Sequence, residues 1–340
     1  MKDNNKNILS SFKNLIYFFK KNEISTPTEE KHRFWNKIIQ TAARKKRQQR
    51  YRIYTTLAAA AVLTAAIIWF QVFRSPVSEQ KLNTIVAEVP VSKQTSDIII
   101  MVSDSNEIRV DKDTAVVNYS RSGEITVNNQ AITPQKEVKQ AEKIAYNQII
   151  VPGGKRTMLT LSDSTKIWIN SGSRIIFPQK FEAKQRKIFV EGEAYLEVSK
   201  NPQRPFIVET PAKFDIEVLG TSFNVCTYAG LKHATVVLAE GKINLVGENK
   251  QHRILAPNQL IQIDKNGLMG EIVPVDASEY TSWTKGLLAL NSQPFNEVME
   301  RLQIYFGVTI KMDENLNKKI SGELELKDKL EDILSGLQNI

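Results

Sequence analysis

Three patterns of apolar residues follow one another along this chain. Near the start, Ile8, Phe12, Leu15, Ile16 and Phe19 recur every three or four residues, which predicts a helix with one apolar stripe. Thr26-Pro27-Thr28-Glu29 then reads as a capping box with proline at the first helical position. The helix it opens carries Phe34, Trp35, Ile38, Ile39 and Ala42 on one face. Two short helices bury too little surface to be stable alone. Lying as a loose hairpin on a membrane is one fate for them. The aromatic content of Phe18, Phe19, Phe34 and Trp35 favours another, a protein partner that covers the stripes.

The second pattern has no period. From Ile53 to Phe73, 21 residues carry no charge, and Leu57 to Phe70 is apolar except for Thr64. A helix of that length spans roughly 30 Å, the thickness of a bilayer core. Arg44, Lys45, Lys46, Arg47, Arg50 and Arg52 precede it, whereas Arg74 and Lys81 are the basic residues in the matching window after it. That asymmetry predicts a single-pass membrane protein with its N-terminus in the cytoplasm and its C-terminal part exported. Tyr51, Tyr54 and Trp69 stand where interfacial aromatics belong. A buried core helix is disfavoured by these flanks. A cleaved signal peptide would need an n-region of more than fifty residues, and no Ala-x-Ala follows Phe70.

Residues 74–97 read as a polar periplasmic linker containing Pro76 and Pro90. The third pattern begins at Ile98. Short runs rich in Ile, Val and Thr alternate with turns at Ile98–Val102, Ile108–Val110, Ala115–Tyr119 and Ile125–Val127, and resume from Ile149 to about Val275. Thr133 to Glu142 shows no strand signal and reads as a surface loop or short helix. Even spacing of short strands predicts an all-β domain over 98–275, as a sandwich, barrel or β-solenoid. Residues 276–340 change again, to a small α/β unit. Its expected order is a strand at Gly286–Leu290 and a helix opened by Asn291-Ser292-Gln293-Pro294 and stopped by Gly307. Strands at Val308–Met312 and Ile320–Leu326 follow, then a helix marked by Leu330, Ile333, Leu334 and Leu337. The chain is thus mainly β, with cytoplasmic helices over 1–52 and a transmembrane helix over 53–73.

The net charge of +9 suggests nucleic acid until it is located. Residues 1–53 hold 14 Lys+Arg and 4 Asp+Glu, and the rest of the chain holds 32 and 33. The excess therefore lies beside the inner leaflet, where anionic lipid attracts it. No basic stripe for direct nucleic-acid binding remains. Cys226 has no disulfide partner in the chain and reads as a small strand residue. His32, His233 and His252 are scattered, with no zinc-site spacing. No metal, cofactor or nucleophilic triad is expected.

Ordered motifs fill the β region. They include Val151-Pro152-Gly153-Gly154, Asp163-Ser164-Thr165, Trp168-Ile169-Asn170-Ser171-Gly172, Val190-Glu191-Gly192-Glu193-Ala194-Tyr195-Leu196-Glu197 and Leu219-Gly220-Thr221-Ser222-Phe223-Asn224. Leu238-Ala239-Glu240-Gly241 and Pro257-Asn258-Gln259 complete them. From about Ile149 to Ile263 this order closely resembles the FecR family of transmembrane anti-sigma factors, in the form common in Bacteroidetes. The unit from Trp283 resembles the C-terminal domain that accompanies FecR, akin to the short domain of secretins and TonB-dependent transporters. The family pattern continues into closing strands beyond the point where this sequence stops. The family has turn glycines where this chain has Ser164 and Asn258. Asn tolerates positive φ and Ser suits turns.

The resemblance implies a role. The cytoplasmic helices would bind an extracytoplasmic-function (ECF) sigma factor through Phe12, Phe19, Phe34, Trp35 and Ile38. The periplasmic part would sense the N-terminal signalling domain of a TonB-dependent outer-membrane transporter. Some relatives cleave themselves at a Gly-Thr bond by an N→O acyl shift, which singles out Gly220 and Thr221. The other reading of that pair is a glycine-marked bend with Thr221 packed in a sheet. Glu191, Glu193, Tyr195 and Glu197 are expected to share one strand face, since side chains alternate, and paired carboxylates suit a glycosidase. A solvated polar face and the family's own motif explain them as well, and no enzyme activity is expected. A membrane-anchored periplasmic ligand- or glycan-binding module is the alternative function; it leaves the cytoplasmic stripes without purpose.

Overall fold

The computed structural model describes residues 13–14, 16–18, 20–21, 96–102, 106–120, 124–132, 146–248, 250–312, 318–326 and 329–338. Phe12, Phe19, Phe34, Trp35, Ile38, the span Ile53–Phe73 and the loop Thr133–Glu142 lie outside the described residues. No helix among the described residues is long and apolar enough to cross a membrane. The chain divides into two compact units, Met1–Glu79 and Gln80–Ile340. In the first, Ile16, Tyr17 and Phe18 are helical and exposed.

In the second unit, strands dominate because apolar residues alternate with polar ones at period two. In chain order the first ten are β1 (Ile98–Val102), β2 (Asn106–Val110), β3 (Thr114–Tyr119), β4 (Ile125–Val127), β5 (Gln130–Ile132), β6 (Tyr146–Val151), β7 (Arg156–Thr160), β8 (Lys166–Ile169), β9 (Ser173–Pro178) and β10 (Arg186–Glu191). Then come β11 (Glu193–Glu197), β12 (Phe206–Glu209), β13 (Phe214–Val218), β14 (Ser222–Cys226), β15 (His233–Glu240), β16 (Ile243–Gly247), β17 (His252–Leu255), β18 (Gln259–Asp264) and β19 (Met269–Pro274). They form a nine-stranded sheet in the order β17-β16-β13-β12-β10-β9-β6-β1-β2. A ten-stranded sheet runs β19-β18-β15-β14-β11-β8-β7-β3-β4-β5. Inner-facing residues of both sheets, such as Val190, Leu196, Ile216 and Val236, share one core. The domain is therefore a β-sandwich.

From β6 onward the chain passes back and forth between the two sheets. Gly172, Gly192, Gly220 and Gly241 sit at four of these passages, with φ of 67°, 93°, 152° and 95°. Gly192 is the tightest case. A β-carbon there would fall 2.4 Å from Ser173 Oγ and 2.7 Å from Ser173 Cα. The two turns without family glycines keep the left-handed backbone, with φ of 70° at Ser164 and 59° at Asn258. In the first, Asp163 accepts from the Thr165 N–H at 3.0 Å and the Thr165 hydroxyl at 2.8 Å. It also pairs with the buried Arg186 guanidinium at 2.7 Å.

After the sandwich come helix α1 (Ala277–Thr281), a 3-10 turn (Ser282–Lys285), β20 (Leu287–Pro294), helix α2 (Phe295–Phe306), β21 (Lys319–Glu325) and helix α3 (Leu330–Gln338). Strands β20 and β21 pair with each other. Two expectations are corrected here. The residues Asn291–Pro294 end the strand, and α2 starts only at Phe295. Val308–Met312 alternates like a strand but forms none. A strand needs a ladder partner, and here Ile310 instead turns its N–H to the Gln303 side chain at 2.8 Å. Val308 and Met312 are exposed.

Candidate functional site

Register alone builds a second apolar surface on this sandwich. Val116, Met158, Trp168, Tyr195, Asn224, Val237, Leu260 and Val273 are successive cross-strand partners over β3, β7, β8, β11, β14, β15, β18 and β19. Each is out of phase with the core-facing residues of its strand, so the row lies on the outer face of the ten-stranded sheet. An apolar row on an outer face needs a cover. The C-terminal module covers the middle of the row, while Val116 and Val273 at its ends stay exposed. Trp168 and Tyr195, whose rings lie 5.5 Å apart, pack against a cluster of Trp283, Leu288, Val298, Leu302 and Tyr305. Ala277 packs on Val237 and Leu260.

Polar contacts fix the module at two points. At the first, the Trp283 indole N–H donates to Asn224 Oδ1 at 3.1 Å, and the Arg156 guanidinium donates to the Trp283 carbonyl. At the second, the last turn of α2 rests on the Pro152-Gly153-Gly154 turn. The Tyr305 carbonyl accepts from the Gly154 N–H at 2.6 Å and from the Ser171 hydroxyl. Between the two points lies a cavity of about 270 Å³. The sandwich contributes Asn170, Glu193, Cys226, Tyr228 and Gln262 to it, and the module contributes Glu297, Glu300, Arg301 and Ile304. Burial pushes the Cys226 thiol and the Tyr228 hydroxyl well above their ordinary pKa values, and the Glu193 carboxylate adds to both shifts.

Of the residues considered for glycosidase chemistry, Glu193, Tyr195 and Glu197 share a face of β11 and Glu191 does not. Glu191 ends β10 in the nine-stranded sheet, and Glu193 begins β11 in the ten-stranded sheet, because Gly192 turns the chain between them. Glu191 pairs with Arg174. Both Glu193 oxygens accept side-chain amides, from Asn170 at 2.7 Å and from Asn224 at 3.0 Å. Glu193 therefore orients Asn224, which in turn holds Trp283. Spacing gave no hint of this arrangement; the outward aromatic pair Trp168 and Tyr195 was the available signal.

Gly220 and Thr221 lie together at the passage from β13 to β14. Thr221 is buried, and its hydroxyl donates to the Lys242 carbonyl at 3.0 Å. At Gly220 a β-carbon would meet Lys200 Cα at 2.6 Å. The five residues expected to bind a sigma factor, Phe12, Phe19, Phe34, Trp35 and Ile38, lie outside the described residues.

Sandwich, outer apolar row and seated helix–strand module together define a two-part protein. Residues 147–244 match the family model of the FecR protein, and residues 287–340 match that of the FecR C-terminal domain. A crystal structure of a candidate anti-sigma factor from Parabacteroides distasonis is 31% identical, with a TM-score of 0.51 over 56% of this chain and 90% of that one. A second structure of a candidate anti-sigma factor from the same organism is 30% identical, with a TM-score of 0.51 over 57% of this chain and 91% of that one. No curated protein matches the chain. The chain belongs to the FecR family.

Proposed function

We propose that this chain is an anti-sigma factor that carries a signal across the inner membrane. Residues 1–52 bind an ECF sigma factor in the cytoplasm, residues 53–73 span the membrane with the N-terminus inside, and the sandwich with its module stands in the periplasm. There the module, over residues 276–340, receives the N-terminal signalling domain of a TonB-dependent outer-membrane transporter. The linker of residues 74–97 gives it reach. The observation that carries the reading is the likeness to the Parabacteroides distasonis structure, 31% identical across 90% of that chain. The asymmetric charge around Ile53–Phe73 supports the orientation. The role is regulatory rather than enzymatic, in keeping with a Glu193 whose two oxygens are both occupied by amides.

Two measurements test it. A periplasm-active reporter fused after Gln94 is expected to be active, and one fused at residue 2 inactive; the reverse overturns the topology. Purified transporter signalling domain is expected to bind residues 95–340 and to lose affinity for residues 95–280. Equal affinities would remove the module as the receiver.

A further inference from the structure

We propose that the C-terminal module is a hinged cover, which swings off the outer face of the ten-stranded sheet while the sandwich beneath it stays folded. The contact differs in kind from the sandwich core. In the core, Val190, Leu196, Ile216 and Val236 have no exposed surface. Beneath the module a cavity of about 270 Å³ remains, walled by the charged side chains Glu193, Glu297, Glu300 and Arg301. The contact is apolar at Trp168, Tyr195 and Ala277 but polar and incompletely filled around the cavity, and dense packing resists opening where a partly filled contact between parts of a chain permits relative motion.

The attachments are few and of the kind that break together. One joins Trp283 to Asn224 and Arg156, and the other joins the Tyr305 carbonyl to Gly154 and Ser171. The connection back to the sandwich has its own fixed end. The Val275 N–H donates to the Asn258 carbonyl at 3.0 Å, and the Asp276 carboxylate caps α1 through the Ser278 N–H at 2.9 Å. The short link Val275–Asp276 between β19 and α1 is therefore the pivot. Opening uncovers Trp168 and Tyr195. Such an opening deepens the receiver role proposed above, since a partner that grips the module would bias the two positions. No partner enters the test below, so a cover that stays shut would refute the hinge alone.

Cys226 is a built-in reporter. It is the single thiol of the chain, it is buried, and it faces the cavity. The full-length protein in detergent micelles is treated with excess N-ethylmaleimide while circular dichroism follows the sandwich. The expected result is complete labelling in native buffer with the β spectrum unchanged. Trp283→Phe, which removes the indole donor, is expected to speed labelling at least ten-fold with little change in the melting of the sandwich. Gly153→Ala, which forces the two backbones apart, is expected to speed labelling beyond its effect on melting. The hinge is overturned if Cys226 reacts only at urea concentrations that unfold the sandwich. It is equally overturned if neither variant speeds labelling beyond its effect on melting.

Discussion

Gly153 and Gly307 touch backbone to backbone. A β-carbon on Gly153 would stand 2.9 Å from the α-carbon of Gly307 and 2.9 Å from the carbonyl oxygen of Phe306. Gly307 ends α2 in a left-handed conformation with φ of 67°, and the Pro152-Gly153-Gly154 turn is the seat on which that helix end rests. The two glycines belong to the two separately matched parts of the chain. Their contact explains why the turn carries glycine where no positive φ requires it.

Neighbouring substitutions separate the two effects. Gly154 has φ of 77° and open space around it, so Gly154→Ala meets conformational strain alone, about 1 kcal/mol. Gly153→Ala meets a backbone that cannot yield locally, and the expected loss is about 2–3 kcal/mol. Urea unfolding of both variants checks the order. A larger loss at Gly154 would contradict the seating of α2.

The Asp163 turn permits a change in each direction. Ser164 occupies the left-handed region at φ of 70°, so Ser164→Gly is expected to raise stability by about 1 kcal/mol. Asp163→Ala removes the carboxylate from Arg186, which has 1% of its side chain exposed. An uncompensated buried guanidinium costs about 3–5 kcal/mol. Thermal melts of the two variants should shift in opposite directions.

Much of this fold is legible in the chain. The strand Ile98–Val102 follows from an unbroken apolar run and Ile125–Val127 from alternation, and the turns at Ser164 and Asn258 follow from the chemistry of residues that replace glycine. Long-range pairing is not legible. The parallel neighbours β3 with β7 and β10 with β12 depend on how the sheets wrap, which no local pattern encodes. Val308–Met312 failed for a related reason, since alternation is necessary for a strand but a partner edge decides it. Glu193 was misplaced beside Glu191 because one glycine, Gly192, transfers the chain to the other sheet and voids the face rule across it.

Cys226 gives the stability an alkaline slope. Its folded pKa is raised by burial, then by Glu193. Below about pH 8.5 the thiol is protonated in both states and contributes no pH dependence. Above that pH the unfolded chain loses the proton and the folded chain keeps it. Stability therefore falls as pH rises, by at most about 1.4 kcal/mol per unit. Between pH 8.5 and 9.5, Cys226→Ala is expected to flatten the slope in urea unfolding. An unchanged slope would mean that the thiol is not buried in solution.

The Gly220–Thr221 bond has a direct assay. Thr221 holds its hydroxyl on the Lys242 carbonyl, and the acyl shift would require that hydroxyl to leave it for the Gly220 carbonyl carbon. If the bond is processed, wild-type cells contain two fragments, Thr221→Ala abolishes them and Thr221→Ser retains them. A single full-length band in wild-type cells would show that Thr221 is a packing residue only.

Retention of a sigma factor is the property that defines an anti-sigma factor. The measurement is co-purification of the full-length chain, in detergent, with the ECF sigma factors of its own host, for the wild type and for the Phe34→Ala, Trp35→Ala double variant. Aromatic anchors at the centre of an interface are commonly worth about 2 kcal/mol or more each, so the double variant is expected to weaken binding by at least about 30-fold. One ECF sigma factor retained by the wild type and lost from the variant is the predicted result. A wild-type chain that retains none of them would contradict the assignment of this protein as an anti-sigma factor.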